Sequence, residues 1–272
     1  MAGFAKLTPE QEEIVRAATG VLEADAQIEA AWLAGSLGRG AGDAFSDVDL
    51  LVLVAAGSAG EVGGRYVAKV AEIAEPVLVN PLFGARVLNI VTRDWRRFDL
   101  SFIEAAELGR YNSTHLVELF NKGGDAPPAK AVEAYRASPD AVLTLINEFL
   151  RVLGLSVVAI GREEWLLAQW GADILRRLTM DLMLEENEVS PVERGGALRR
   201  RPLLTAEQLA SLEGLTPVTA DMSGVLTSNR EVAAIFLPRA RALARRVEAV
   251  WPAEFEAATR AHLRSRIGLE LS

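Results

Sequence analysis

Cysteine is absent from the 272 residues of this chain, and histidine occurs only twice. The absence of cysteine excludes disulfide bridges, thiol nucleophiles and cysteine-bound zinc. His115 and His262 lie far apart in the sequence, so a histidine metal site or a Ser-His-Asp triad has little to draw on. Any metal ion is therefore expected to be held by oxygen ligands.

Long apolar runs and an excess of basic residues are also lacking. Runs such as Leu50–Ala56 fall far below the roughly 20 residues of a membrane span, and no basic-then-apolar signal pattern begins the sequence. We therefore expect a cytoplasmic protein with no membrane partner. The formal charge of −8 argues against a nucleic-acid partner, because such proteins carry a broad basic surface. A small or neutral substrate fits better.

Hydrophobic residues make up 50% of the chain and charged residues 24%, which is typical of a globular protein. Thr8, Pro9 and Gln11 mark the start of an amphipathic helix. Helical spacing returns over residues 61–73, and after about Asp140 only helical patterns follow. Apolar strand patterns cover residues 28–36, 46–54, 76–83, 86–93 and 96–104.

The change from strand to helix patterns predicts two domains. Residues 121–139 are rich in glycine, proline and small side chains, so we predict a linker there, between a domain at 1–120 and a helical bundle at 140–272. In the bundle, Thr205 with Gln208 and Ser228 with Glu231 predict two capped helix starts. The fold class is α+β, with a mixed sheet and helices followed by an all-α bundle.

Two acids, Asp47 and Asp49, stand where the strand pattern "DLLVLV" begins. Residues two apart on a strand project from the same face, about 7 Å apart at Cα. Such a pair can hold divalent cations, and Mg²⁺ suits an oxygen-only shell that leaves room for phosphate oxygens. The plain alternative is a solvated turn at a strand entry.

A glycine-rich turn, "GSLGRG", precedes the acids. Gly35, Gly38 and Gly40 let the backbone approach an anion closely. Ser36 adds a hydroxyl, and Arg39 adds a guanidinium fork for phosphate oxygens. The turn and the acid pair together favour phosphate chemistry over an ordinary turn.

"GSLGRG" followed by "SDVDLLVLV" resembles the nucleotidyltransferase superfamily whose palm is similar to that of DNA polymerase β. The resemblance implies a nucleoside triphosphate contacted by Ser36 and held in part by Arg39. It also implies a third carboxylate on a neighbouring strand, and Asp99 alternates there with apolar Phe98 and Leu100. The implied nucleotide-binding residues are Gly35, Ser36, Arg39 and Gly40, and the implied catalytic residues and Mg²⁺ ligands are Asp47, Asp49 and Asp99.

A strand-rich domain followed by a helical bundle is similar to the antibiotic nucleotidyltransferases, especially the lincosamide type. This resemblance implies Mg²⁺-dependent transfer of a nucleoside monophosphate, AMP from ATP in the first instance, to a hydroxyl of a lincosamide or aminoglycoside, with release of pyrophosphate. It also implies a homodimer. Asp99 is the first candidate for the general base, and Glu148 in the helical half is the second.

Two other readings stay open. The chain could modify a protein partner, as antitoxin-like members of the superfamily do, although those are typically minimal domains without a long helical half. It could also be a non-catalytic nucleotide-binding module. The joint presence of Ser36, the glycine turn and three aspartates favours an active enzyme.

Overall fold

The computed structural model describes residues 7–123, 125–129, 134–194 and 200–271. Contacts divide the chain into two compact units, Met1–Val132 and Glu133–Ser272. The division falls inside the predicted linker 121–139, of which residues 124 and 130–133 lie outside the described residues. The domain limits 120 and 140 stay a prediction.

The first unit is built on one six-stranded mixed sheet with helices. Its elements are α1 (Pro9–Ala24), β1 (Ile28–Leu33), α2 (Gly35–Gly38), β2 (Val48–Val54), α3 (Ala59–Lys69), β3 (Pro76–Leu82), β4 (Val87–Thr92), β5 (Arg97–Glu104) and β6 (Val117–Asn121). The strands lie in the order β3-β4-β5-β2-β1-β6. β2 and β5 pair in parallel, whereas the other neighbouring strands pair antiparallel.

Five of these strands correspond to the predicted apolar segments, and β6 was not predicted. β6 is a short edge strand in which Glu118 is exposed and Phe120 is buried, so its apolar alternation is too brief to stand out. β2 is buried on both faces, as its sequence predicts. Alternate residues such as Leu50 face a core shared with α1 and α3, while Leu51 and Leu53 face a second apolar cluster.

The second unit is all helical in its described residues. Phe149 stacks on Phe236 in its buried core, with ring centroids 3.7 Å apart and planes within 3°. The fold class predicted from the sequence, a mixed sheet with helices followed by a helical C-terminal part, is therefore confirmed. The helices are α4 (Pro139–Gly161), α5 (Trp165–Glu186), α6 (Pro191–Arg194), α7 (Ala206–Glu213), α8 (Met222–Arg246) and α9 (Ala253–Ile267).

One of the two predicted caps in this unit is wrong. The Thr205 capping box is present at the start of α7, but Ser228 lies inside α8. α8 begins at Met222, where the Asp221 carboxylate accepts a hydrogen bond from the Gly224 N–H at 2.9 Å. The Glu231 carboxylate does not cap a helix; it accepts hydrogen bonds from the N–H and the hydroxyl of Thr216. Gly224 made the first turn of α8 hard to recognise in the sequence.

α4 is, among the described residues, the one helix long and apolar enough to cross a membrane by length and composition. Glu148 and Arg151 interrupt the apolar sequence of α4, but both lie on its outer side. They form a bidentate ion pair, in which Nε and Nη2 of Arg151 donate to the Glu148 carboxylate at 2.7 and 2.6 Å. The apolar side of α4 packs against α5, α8 and α9.

Candidate active site

Asp49 and Asp99 are brought together by the parallel pairing of β2 with β5. The two residues stand directly opposite each other in the register. Neighbouring strands are about 4.8 Å apart and paired residues share a face, so the two carboxylates are neighbours. Their common face is the one turned away from α1 and α3, because the flanking residues Leu50 and Leu100 lie in the core on the other side.

Asp47 lies immediately before β2, which begins at Val48. Its Oδ2 is 3.9 Å from Nη1 of Arg97. Nη2 of Arg97 also donates a hydrogen bond to the Phe45 carbonyl at 3.0 Å. Arg97 therefore links the loop that carries Asp47 to strand β5, two residues before Asp99.

The charge around Asp49 is concentrated and poorly compensated. Burial first, and then the negative charges of Asp47 and Asp99, raise the pKa of Asp49 to about 6, against the opposing effect of Arg39 and Arg97. Burial disfavours the ionised form and like charges add to that cost. A cation placed among these carboxylates would relieve both effects.

Asp99 is held by an asparagine from the next strand. Nδ2 of Asn89 on β4 donates a hydrogen bond to Oδ2 of Asp99 at 2.7 Å. Burial raises the pKa of Asp99, the Asn89 hydrogen bond lowers it, Asp47 raises it and Arg97 lowers it, with a net upward shift. Asp99 is thus oriented by Asn89 and favours a proton more than an exposed aspartate does.

Gly35 lies against the Asp49 carboxylate. Its φ is +59°, and a Cβ atom at this position would lie 2.6 Å from Cγ of Asp49 and closer still to Oδ2. The Ala34 N–H also donates to the Asp49 carbonyl at 2.8 Å. Only glycine lets the turn pass this close to the acid, so the glycine turn and the acid pair form one site.

The first four residues of the glycine turn form the short helix α2. A Cβ at Gly38 would lie 2.5 Å from the Leu33 carbonyl oxygen, so the turn packs tightly onto the end of β1. Gly40 has a φ of +70° and open space around it. Ser36 and Arg39 are partly exposed, and Arg39 is near enough to lower the pKa of Asp49.

Gln11 fixes the loop that leads to Asp47. Beyond its predicted capping box with Thr8, its Nε2 donates to the carbonyls of Asp43 and Ser46, both at 2.9 Å. Gln11 is only 6% exposed. The cap of α1 therefore also holds the backbone beside the site.

Sequence reasoning did not assign Gln11, Asn89 or Arg97 to the site. A signal existed for two of them. Asn89 interrupts an apolar strand in which asparagine is disfavoured, and Arg97 is two residues from Asp99 and so shares its face. The additional role of Gln11 depends on contacts 32 and 35 residues away, which no local pattern reports.

The aspartates fit Mg²⁺ by the chemistry of their oxygen donors. The pKa of Asp49, raised first by burial and then by Asp47 and Asp99, shows that its ionised form is disfavoured without a cation nearby. Within the described residues, no group of three or more histidine, aspartate or glutamate side chains already surrounds a common metal position. Asp99 instead gives one oxygen to Asn89. The three acids interact through charge without forming a closed ligand shell.

No family model matches this chain, and no curated protein matches it. Twelve chains of solved structures match it, including those of two enzymes. An aminoglycoside 6-adenyltransferase from Bacillus subtilis is 16% identical, with a TM-score of 0.42, over 94% of this chain and 98% of that one. The apo form I of a CCA-adding enzyme is 12% identical, with a TM-score of 0.37, over 96% and 71%. Both scores are low, so the function is argued below from the site.

Proposed function

We propose that this chain is a Mg²⁺-dependent nucleotidyltransferase that moves a nucleoside monophosphate, AMP from ATP in the first instance, to a hydroxyl of a small molecule. A lincosamide or an aminoglycoside is the proposed acceptor, and pyrophosphate is the second product. The observation that carries the proposal is the approach of Gly35 to Asp49. It puts an anion-accepting turn directly beside carboxylates that are short of a counter-ion.

The turn is assigned to the triphosphate. Gly35 and Gly40 have positive φ values, which favour glycine, and their lack of a side chain leaves room for a ligand. The Ser36 hydroxyl and the Arg39 guanidinium are partly exposed beside them and suit phosphate oxygens. The same Arg39 charge lowers the pKa of Asp49, which places it within electrostatic reach of the acids.

The acids are assigned to the metal and to the proton. Asp47 and Asp49, with Asp99 beside them, would hold Mg²⁺, which when bound offsets charge on the triphosphate. In the reaction the acceptor oxygen forms a bond to the α-phosphorus and the bond from that phosphorus to the β-phosphate oxygen breaks. The hydroxyl proton passes to a carboxylate, and Asp99 is the proposed base.

Asp99 suits this role better than Glu148. The pKa of Asp99 is raised by burial, and a base works best when its pKa approaches the working pH. The pKa of Glu148 is lowered by its hydrogen bonds and ion pair with Arg151. Glu148 already has a permanent cationic partner, and accepting a proton would cost it that pair.

Pyrophosphate release tests the proposal. The wild-type chain is incubated with Mg²⁺ and each of ATP, GTP, CTP and UTP, against a panel of lincosamides and aminoglycosides. We expect release that needs one nucleotide and one drug, is lost in Asp49→Asn, and persists in Asp173→Asn, a variant of an exposed acid on α5.

Labelled ATP with a cell lysate adds the competing outcome. Label that moves into a protein band, with no drug-dependent release, would favour a protein acceptor and contradict the small-molecule assignment. Absence of Mg²⁺-dependent nucleotide binding in the wild-type chain would reject nucleotidyl transfer altogether.

A further inference from the structure

A row of polar side chains runs from the acids to the edge of the sheet. Asp49 on β2 stands opposite Asp99 on β5. On the other side of β5, Asn89 on β4 stands opposite Asp99, and Asn80 on the edge strand β3 stands opposite Asn89. Directly paired residues share a face, so all four side chains project from the same side of the sheet.

This side of β3 and β4 is open. On the opposite side, Leu88 and Ile90 are buried in the core with α1 and α3. Asn89 is only partly buried and Asn80 is exposed. A polar row on an accessible surface, continuous with the candidate catalytic acids, is available to a ligand.

The two amides have unused hydrogen-bonding capacity. Asn89 gives one N–H to Asp99, and an asparagine amide has a second N–H and an oxygen that can accept. In the described part of the chain, no further hydrogen bond engages the side-chain amide of Asn89 or that of Asn80. Each amide can therefore both donate to and accept from a bound molecule.

Apolar side chains flank the row on both sides. Leu78 pairs with Val91 on one side, and Leu82 pairs with Val87 on the other. Leu78 is 52% exposed. Two strand spacings separate Asp99 from Asn80, which is about 10 Å, the length of one or two sugar rings.

We propose that Asn89 and Asn80 form the acceptor subsite, which binds a polyhydroxylated small molecule with its reacting hydroxyl at Asp99. Hydroxyl groups both donate and accept, as the two amides do, and the flanking leucines and valines suit the carbon faces of a ring. Among the residues of strands β3, β4 and β5, Arg97 is the single basic side chain. A polyanionic acceptor is therefore disfavoured. This inference rests on the proposed function.

Side-chain amide signals test the inference directly. The ¹⁵N-labelled full chain is titrated with kanamycin, streptomycin, spectinomycin and lincomycin, and the Asn80 and Asn89 NH₂ signals are assigned from Asn80→Ala and Asn89→Asp. We expect at least one compound to shift both signals. We also expect Asn80→Ala to weaken that compound by about 2- to 10-fold, the value of one neutral hydrogen bond, with unchanged thermal stability because Asn80 is exposed.

Asn147→Ala, at an exposed position on α4, is the matched control and should keep wild-type affinity. Binding that leaves both signals unmoved would overturn the inference, as would the failure of every compound to move them at millimolar concentration. The Ser36 backbone N–H reports ATP with Mg²⁺ in the same samples. If Ser36 responds and the asparagines do not, the subsite is refuted and the proposed function stands. The reverse result rejects the nucleotide function and, with it, the assignment of the two asparagines as an acceptor subsite, even though they bind the compound.

Discussion

Replacing Asp49 by asparagine should stabilise the first unit when no metal is present. The pKa of Asp49 is about 6 in the folded chain against 3.8 for a free aspartate. Because this shift is upward, the folded state binds the proton more tightly than the unfolded state, and stability is lost as the pH rises from about 4 through about 6. The shift of about two pKa units corresponds to about 3 kcal/mol above that range.

Asparagine keeps the shape of the side chain and removes the charge. We therefore expect Asp49→Asn to gain about 2–3 kcal/mol at pH 8 with EDTA present, and the gain to shrink toward zero near pH 4. Hydrogen exchange of the β2 amides, measured by mass spectrometry in urea, reports on the first unit alone. Added Mg²⁺ should protect the wild-type β2 amides and leave those of the variant unchanged.

Asp94→Asn is the control for this experiment. The pKa of Asp94 is lowered, first by its hydrogen bond with Thr92, so removal of its charge should bring no gain at pH 8. A wild-type chain as stable as Asp49→Asn at pH 8, or a gain of equal size at pH 4 and pH 8, would refute the argument that buried like charge strains the site.

Three further changes test the surroundings of the acids. Gly35→Ala should lower the free energy of unfolding by several kcal/mol and abolish nucleotide binding, because its Cβ would overlap the Asp49 carboxylate. Gly40→Ala, which has open space around it, should lower the free energy of unfolding by only about 1 kcal/mol because of its positive φ. Equal losses of stability in the two variants would contradict this. Arg97→Gln should move the acidic limb of the pH–activity profile to higher pH, since the strand aspartates lose a positive neighbour; an unmoved limb would count against it. Gln11→Ala should lower the free energy of unfolding by about 1–3 kcal/mol and speed amide exchange in the loop before β2; unchanged exchange there would argue against the role of Gln11.

Patterns that depend on near neighbours could be predicted from the sequence. The Thr8–Gln11 cap of α1 and the burial of β2 on both faces follow from spacing within a few residues. The same reliance on near neighbours explains why the predicted Ser228–Glu231 cap is wrong. A Ser228–Glu231 spacing matches a capping box whether or not a helix has already begun. The actual start at Asp221 is hard to recognise because Gly224, a poor helix former, lies in the first turn of α8.

The acid pair and the glycine turn could be recognised from the sequence alone, since both lie within residues 35–49 and their spacing predicts a shared site. The residues that surround them are set by tertiary contacts. The register of β4 and β5 sets Asn89 against Asp99, Arg97 joins the loop beside Asp47, and Gly35 lies on Asp49. These contacts join residues far apart in the chain, and pairing between strands is set by the packing of the whole sheet.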